Sequence, residues 1–230
     1  MTAPEPAVAQ PAGAQPAVAQ PAGAQPAGAG SAKAAAPAGY SLVLPPGWAR
    51  IPLRHGTEQA ITSILNRSFA GLPRDQVASL RRELQLRLRN LTGKARESSG
   101  LDLYLPVDRM HGITATASFV VAEVSFGSVQ PVDPALLVAR LVGTSEQTHP
   151  VDVAGVVGTR TEHVAAPDAE HGVEYASRRV DYVLPVPEDP DRWVIVSFGT
   201  LGMGDPSDEL AVLLVELFDA VMTTFRWRRP

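Results

Sequence analysis

From Tyr40 onward, apolar residues recur with one of two periods, about 3.6 for a helix and 2 for a strand. Tyr40, Leu42 and Leu44 alternate with Ser41 and Val43 and predict a short strand, which Pro45, Pro46 and Gly47 turn before Trp48. Ile61, Ile64, Leu65 and Phe69 then repeat at helical spacing until Gly71 and Pro73. A second helix carries the stripe Val77, Leu80, Leu84, Leu88, Leu91 and Ala95. Leu101 to Val107 and the β-branched, aromatic run Ile113 to Phe126 read as strands, with a bulge or burial on both faces expected near Phe119. Asp133 and Pro134 open a helix ending at Gly143. Strands follow at about Val151 to Val164, Val173 to Leu184 and Arg192 to Thr200, separated by hairpin loops at Pro167 to Gly172 and Pro185 to Asp191. The last helix opens at Asp205, Pro206, Ser207 and Asp208. It bears the strongest stripe: Leu210, Leu213, Leu214, Leu217, Phe218, Val221 and Phe225.

Six strands with consecutive hairpins near the end imply a largely antiparallel sheet covered by helices, an α+β fold of the α/β/α sandwich type. The loops between the last three strands are too short to hold the crossover helices a parallel sheet needs. Residues 40–230 are expected to form a single α/β domain, large enough to bury a core without staples.

Residues 1–39 break both periods. Prolines recur every five residues from Pro6 to Pro26 in a Gln-Pro-Ala-(Val/Gly)-Ala unit. Each proline removes a backbone donor and steers its predecessor away from the helical region, so the segment is expected to be a disordered spacer. The chain contains no cysteine, which excludes disulfide frameworks, thiol nucleophiles and Cys-ligated metal clusters. No run approaches the ~18 apolar residues of a membrane span, and the N-terminus lacks a basic, Leu-rich leader, so a cytoplasmic location is expected. The net charge of −4 provides no global attraction to nucleic acid. Of the 20 basic residues, 18 are arginine, a bias typical of GC-rich bacterial genomes.

Charge is uneven along the chain. The helix from Arg74 to Glu97 holds seven cations and three anions, leaving the remainder of the protein at −8. Arg82, Arg89 and Arg96 recur every seven residues on one face, while Glu83 can pair with Arg87. The solvated face of a helix is the ordinary meaning of such a stripe, and the functional one is a docking surface for an acidic protein. No aromatics interleave these arginines as nucleic-acid stacking would require. Chemistry is otherwise scarce. His55, His111, His149, His163 and His171 are scattered, and Glu162-His163 with Glu170-His171 are more simply two polar pairs than a metal site. Gly93-Lys94 lacks the earlier glycine of a phosphate loop, and the glycines from Gly199 to Gly204 lead to Asp205 and Asp208, which repel anions. No Gly-x-Ser-x-Gly elbow occurs. Trp48, Trp193 and Trp227 are expected as core anchors.

The opening Tyr40-Ser41-Leu42-Val43-Leu44-Pro45-Pro46-Gly47-Trp48, the segment Val153-Ala154-Gly155 and the strand Arg192-Trp193-Val194-Ile195-Val196-Ser197-Phe198 form a set with two closing motifs. These are Leu217-Phe218-Asp219-Ala220 and Phe225-Arg226-Trp227. With the element order, the set resembles the PsbP-like α/β/α sandwich superfamily, which includes DcrB-like and LpqN-like bacterial proteins and a eukaryotic Ran-binding member. The resemblance covers most of residues 40–230. It implies a non-enzymatic accessory or chaperone-like factor that binds another protein, linked to bacterial secretion or envelope assembly, with no cofactor and no shared catalytic set. The exported members begin with a signal or lipobox cysteine that this sequence lacks. The expected site is thus Arg82, Arg89 and Arg96. The alternative is a small-molecule-binding protein or hydrolase with a pocket between sheet and helices. A deep cavity lined by His111 or by Arg178 and Arg179 would favour that alternative; a flat apolar patch beside the arginine face would favour protein binding.

Overall fold

Every strand ladder among the described residues is antiparallel, and two of the strand pairs are joined by two-residue turns. The computed structural model describes residues 35–109, 112, 115–125, 147–167 and 174–230. Along the chain these form β1 (Gly39–Ser41), β2 (Trp48–Pro52), α1 (Thr57–Ser68), α2 (Arg74–Glu97), β3 (Gly100–Pro106) and β4 (Ala117–Ser125). There follow β5 (Gln147–Val153), β6 (Val156–Ala165), β7 (Ser177–Val186), β8 (Asp189–Thr200), α3 (Glu209–Thr223) and β9 (Arg226–Arg228). Among the described residues, seven strands form one sheet in the order β2-β3-β4-β8-β7-β6-β5, and β1 pairs with β9 in a separate ladder. The α+β antiparallel class holds, with seven strands in the main sheet where six are expected. The repeat of residues 1–34, the ends Ile113 and Phe126, the helix from Asp133 to Gly143, and most of the loop from Pro167 to Gly172 lie outside the described residues.

Two turns account for most of the difference. The expected strand Val151 to Val164 is a hairpin, because Val153 and Val156 flank a two-residue loop in which Ala154 and Gly155 both have positive φ, 53° and 80°. Two positive φ values define the tight turn that matches strand twist, normally marked by Asn-Gly or Asp-Gly. Alanine in the first position concealed it. Conversely, Pro185 to Asp191 is not a loop: β7 and β8 run to Val186 and Asp189, leaving only Pro187 and Glu188 between them. Pro185 is tolerated because the register slips beside it, where a missing N–H costs least. Pro187 fixes the first turn position, and Glu188 takes a φ of 64° at the second, where glycine or asparagine is favoured. Glu188→Asn is therefore expected to stabilise the fold by up to about 1 kcal/mol. A rise of roughly 2–4 °C in Tm by calorimetry would register it.

The sheet is covered on both faces. On one, Phe119, Val121, Val180, Tyr182, Val196 and Phe198 meet Leu214, Val215, Phe218 and Val221 of α3. Asp208 caps this helix, its carboxylate accepting from Ala211 N at 2.6 Å and Met203 N at 2.5 Å, and these backbone bonds hold its pKa below the usual range. The amides of the glycine loop before α3 are thus taken up within the chain, Met203 N by the Asp208 carboxylate, Gly202 N by Thr200 Oγ1 and Gly204 N by Leu201 O. On the other face, Ile51, Leu53 and Leu103 pack against Ile61, Ile64 and Leu65 of α1 and against Leu84, Leu88 and Ala95 of α2. Phe119 and Val120 therefore point into different cores, the burial on both faces expected there. Trp48 and Trp193 are buried.

Candidate protein-binding surface

The α1–α2 hairpin carries the surface that the charge pattern singles out. Gly71, in left-handed conformation at a φ of 79°, turns the chain between the helices. They run antiparallel: Arg89 forks onto Glu58 with Nε–Oε1 of 3.0 Å and Nη2–Oε2 of 2.7 Å, and Arg81 donates to Asn66 Oδ1 at 2.6 Å. The fork lowers the Glu58 pKa through the Arg89 hydrogen bonds. At the C-terminal end α2 comes so close to β3 that a Cβ on Gly100 would lie 2.5 Å from Ala95 O. Thr92 is buried there and returns its hydroxyl to Leu88 O at 2.9 Å.

That approach rotates α2 relative to its expected stripe. Leu84, Leu88 and Ala95 face the strands, whereas Leu80 and Leu91 remain 50% and 41% exposed, with Leu86 at 60% and Leu72 of the preceding turn at 52%. The arginines at seven-residue spacing occupy the side of α2 nearest α1. Arg89 engages Glu58. Arg96 donates from Nε to Leu53 O at 2.7 Å and from Nη2 to Thr57 Oγ1 at 3.0 Å, tying the end of α2 to the start of α1. Arg82 makes no hydrogen bond or ion pair among the described residues. It lines a groove of about 730 Å³ where the helices diverge, together with Phe69, Leu72, Val77 and Arg81. Exposed Leu72 was missed from the sequence because it lies in the turn between the helices, beyond any periodic stripe, whereas Phe69, the last residue of the α1 stripe, is half-buried against the core.

Elsewhere several ionisable groups are bound to one another. On the α3 face, Arg160 donates to Glu162 at 2.8 Å and to Asp219 at 3.0 and 2.9 Å, Arg178 holds the other oxygen of Glu162, and Tyr182 donates to Asp219 at 2.7 Å. Burial pushes the Glu162 pKa up, but hydrogen bonds from Arg160 and Arg178 outweigh it and leave it lowered. Burial and the Asp219 bond raise Tyr182. Glu162 and His163 point to opposite faces, so they do not converge as metal ligands, and Glu170 and His171 lie outside the described residues. Among the described residues no group of His, Asp and Glu is arranged to hold a metal ion. Arg178 and Arg179 likewise diverge, and His111 lies outside the described residues.

On the opposite face Ser197, Asp181 and His163 stand on β8, β7 and β6. Burial raises the Asp181 pKa against a hydrogen bond from Ser197 and the charges of Arg179 and His163. The acid lies between hydroxyl and imidazole, and two strand spacings, about 9–10 Å, separate Ser197 from His163. A general base must reach the hydroxyl directly, which this order prevents.

Near the other sheet edge, Asp102 is buried and accepts Arg50 Nε at 2.7 Å, Arg50 Nη2 at 3.1 Å and the Tyr40 hydroxyl; Tyr40 also lies 2.9 Å from the Tyr104 hydroxyl. Burial pushes Tyr104 up to about 12 and raises Tyr40 further. No helix among the described residues is long and apolar enough to cross a membrane.

No family model matches the chain, and no curated protein matches it. Among solved structures the chain is similar to the Ran-binding protein Mog1p of Saccharomyces cerevisiae, with 11% identity and a TM-score of 0.39 over 83% of this chain and 91% of that one. At that level of likeness, Ran binding is said of the yeast protein alone.

Proposed function

We propose that this chain is a non-enzymatic protein-binding module that docks an acidic segment with apolar side chains into the groove between α1 and α2. The observation that carries this reading is Arg82, unpaired among the described residues, lining with half-exposed Leu72 a groove of mixed polar and apolar character. A partner's apolar side chain entering beside Phe69 and Val77 would bury Leu72, and a carboxylate would meet the Arg82 guanidinium in a charge-assisted hydrogen bond. Arg89 and Arg96 contribute positive potential while holding the hairpin in shape, and the excess charge of α2 over the acidic remainder gives the partner its sign. The resemblance of the sequence motifs to the PsbP-like superfamily supports a cytoplasmic accessory or chaperone-like role in secretion or envelope assembly.

The test is co-purification from cells that make the protein, comparing wild type with Arg82→Glu and Leu72→Asp. Both positions are exposed, so stability should move by less than about 0.5 kcal/mol. A stoichiometric partner retained by wild type should bind each variant about tenfold to a hundredfold more weakly. A partner that binds all three alike removes the groove from the interface, and no partner at all removes the reading.

A further inference from the structure

The β1–β9 ladder roofs a second site, on the opposite side of the sheet from the α1–α2 groove. A cavity of about 540 Å³ lies between this ladder and the ends of β2, β3, β4 and β8. Its charged lining is Arg50, Arg54, Arg192 and Arg228 against Asp102 and Glu123. The apolar remainder includes Leu101, Val186, Val194 and Trp227.

The cations are unequally committed. Asp102 is satisfied by Arg50 and Tyr40. Glu123 stands 3.5 Å from Arg54 and 3.7 Å from Arg192, too far for strong hydrogen bonds, so one carboxylate is shared weakly by two guanidiniums. Arg192 is only 22% exposed and the more committed of the two, donating to Pro37 O at 2.6 Å and pairing with Asp189 at 3.1 Å. Arg228 has no ion-pair partner among the described residues. The Trp227 ring adds an apolar wall, and its indole N–H, like those of Trp48 and Trp193, is buried without an acceptor. Incompletely paired positive charge and apolar walls thus line the same cavity, in a volume typical of small-molecule sites.

We infer that this cavity binds a small organic anion, a carboxylate or phosphate head held by Arg54, Arg192 and Arg228, with an apolar body lying against Trp227, Val186 and Val194. Guanidinium forks suit either oxyanion. Arg50 stays with Asp102 and positions the wall without binding the ligand.

The three tryptophans allow a direct test. In a ¹H–¹⁵N spectrum of the full chain, the Trp227 indole signal is assigned by its loss in Trp227→Phe. The probes are phenylacetate, phenyl phosphate and uncharged phenylacetamide. Saturable movement of that signal with either anion, and not with the amide, is the expected result, and the anion that binds more tightly identifies the head group. In Arg54→Gln combined with Arg228→Gln, affinity should fall at least about tenfold, while the Trp48 and Trp193 indole signals keep their positions as evidence of an intact fold. The inference is overturned if neither anion moves the signal saturably, if the amide moves it equally, or if the double variant binds as wild type does.

Discussion

Replacing Arg160 by alanine is expected to destabilise the fold by about 3 kcal/mol, the lower end of the cost of breaking a buried ion pair. The side chain is 9% exposed and joins Glu162 on its own strand to Asp219 of α3, thereby fastening helix to sheet. The lower end applies because Glu162 retains Arg178 and Asp219 retains Tyr182. Removing both charges together, in Arg160→Met with Glu162→Met, should recover most of the loss, since no uncompensated carboxylate remains buried. Urea unfolding followed by circular dichroism checks both variants. The pH dependence has a definite sign. Glu162 has a folded pKa below its unfolded value, so its contribution is present above the unfolded pKa and lost as pH falls through the folded one. Arg160→Ala should therefore show a shallower loss of stability in acid than wild type. A change below about 1 kcal/mol at neutral pH would mean that the network is not holding α3 in place.

The second large effect is expected from Phe218→Ala, at about 3–5 kcal/mol. Phe218 is almost wholly buried at the junction of α3 with three strands, its ring 4.8 Å from Phe198, 5.5 Å from Phe119 and 5.7 Å from Tyr182. Truncation removes those contacts and leaves a cavity that a helix pinned by Asp208 and Asp219 is poorly placed to collapse. Phe218→Leu retains much of the volume and should cost less than about 1.5 kcal/mol. Thermal unfolding of the pair separates a packing role from a merely hydrophobic one: equal losses would contradict the packing account.

The antiparallel α+β architecture was legible because periodicity survives in its longest elements: α3 buries Leu214, Phe218 and Val221 as its stripe requires, with only Leu213 turned half outward. The errors arose where a local signal was disguised. Ala154 occupies a position normally advertised by asparagine or glycine, so β5 and β6 read as one strand, and three prolines within six residues made the tight β7–β8 turn look like a long loop. The arginine stripe was visible as spacing, but its individual roles depend on α1: Glu58 and Thr57 claim Arg89 and Arg96, leaving Arg82 beside the groove. The cluster of Arg50, Asp102 and Tyr40 joins residues about fifty or more positions apart, which no motif marks. Arg160 and Glu162 did leave a trace, a charged pair two apart on a strand and hence on one face.

The central claim is that the α1–α2 groove is where a partner binds, and photo-crosslinking tests it most directly. A photoreactive amino acid at Leu72, inside the groove, is compared with one at Val157, which is more open to solvent on β6 but does not line the groove. Irradiation in cells that make the protein should produce one discrete adduct from position 72 that disappears when Arg82→Glu is added, and none of that identity from position 157. The same adduct from both positions, or one at position 72 that persists with Arg82→Glu, would contradict the claim.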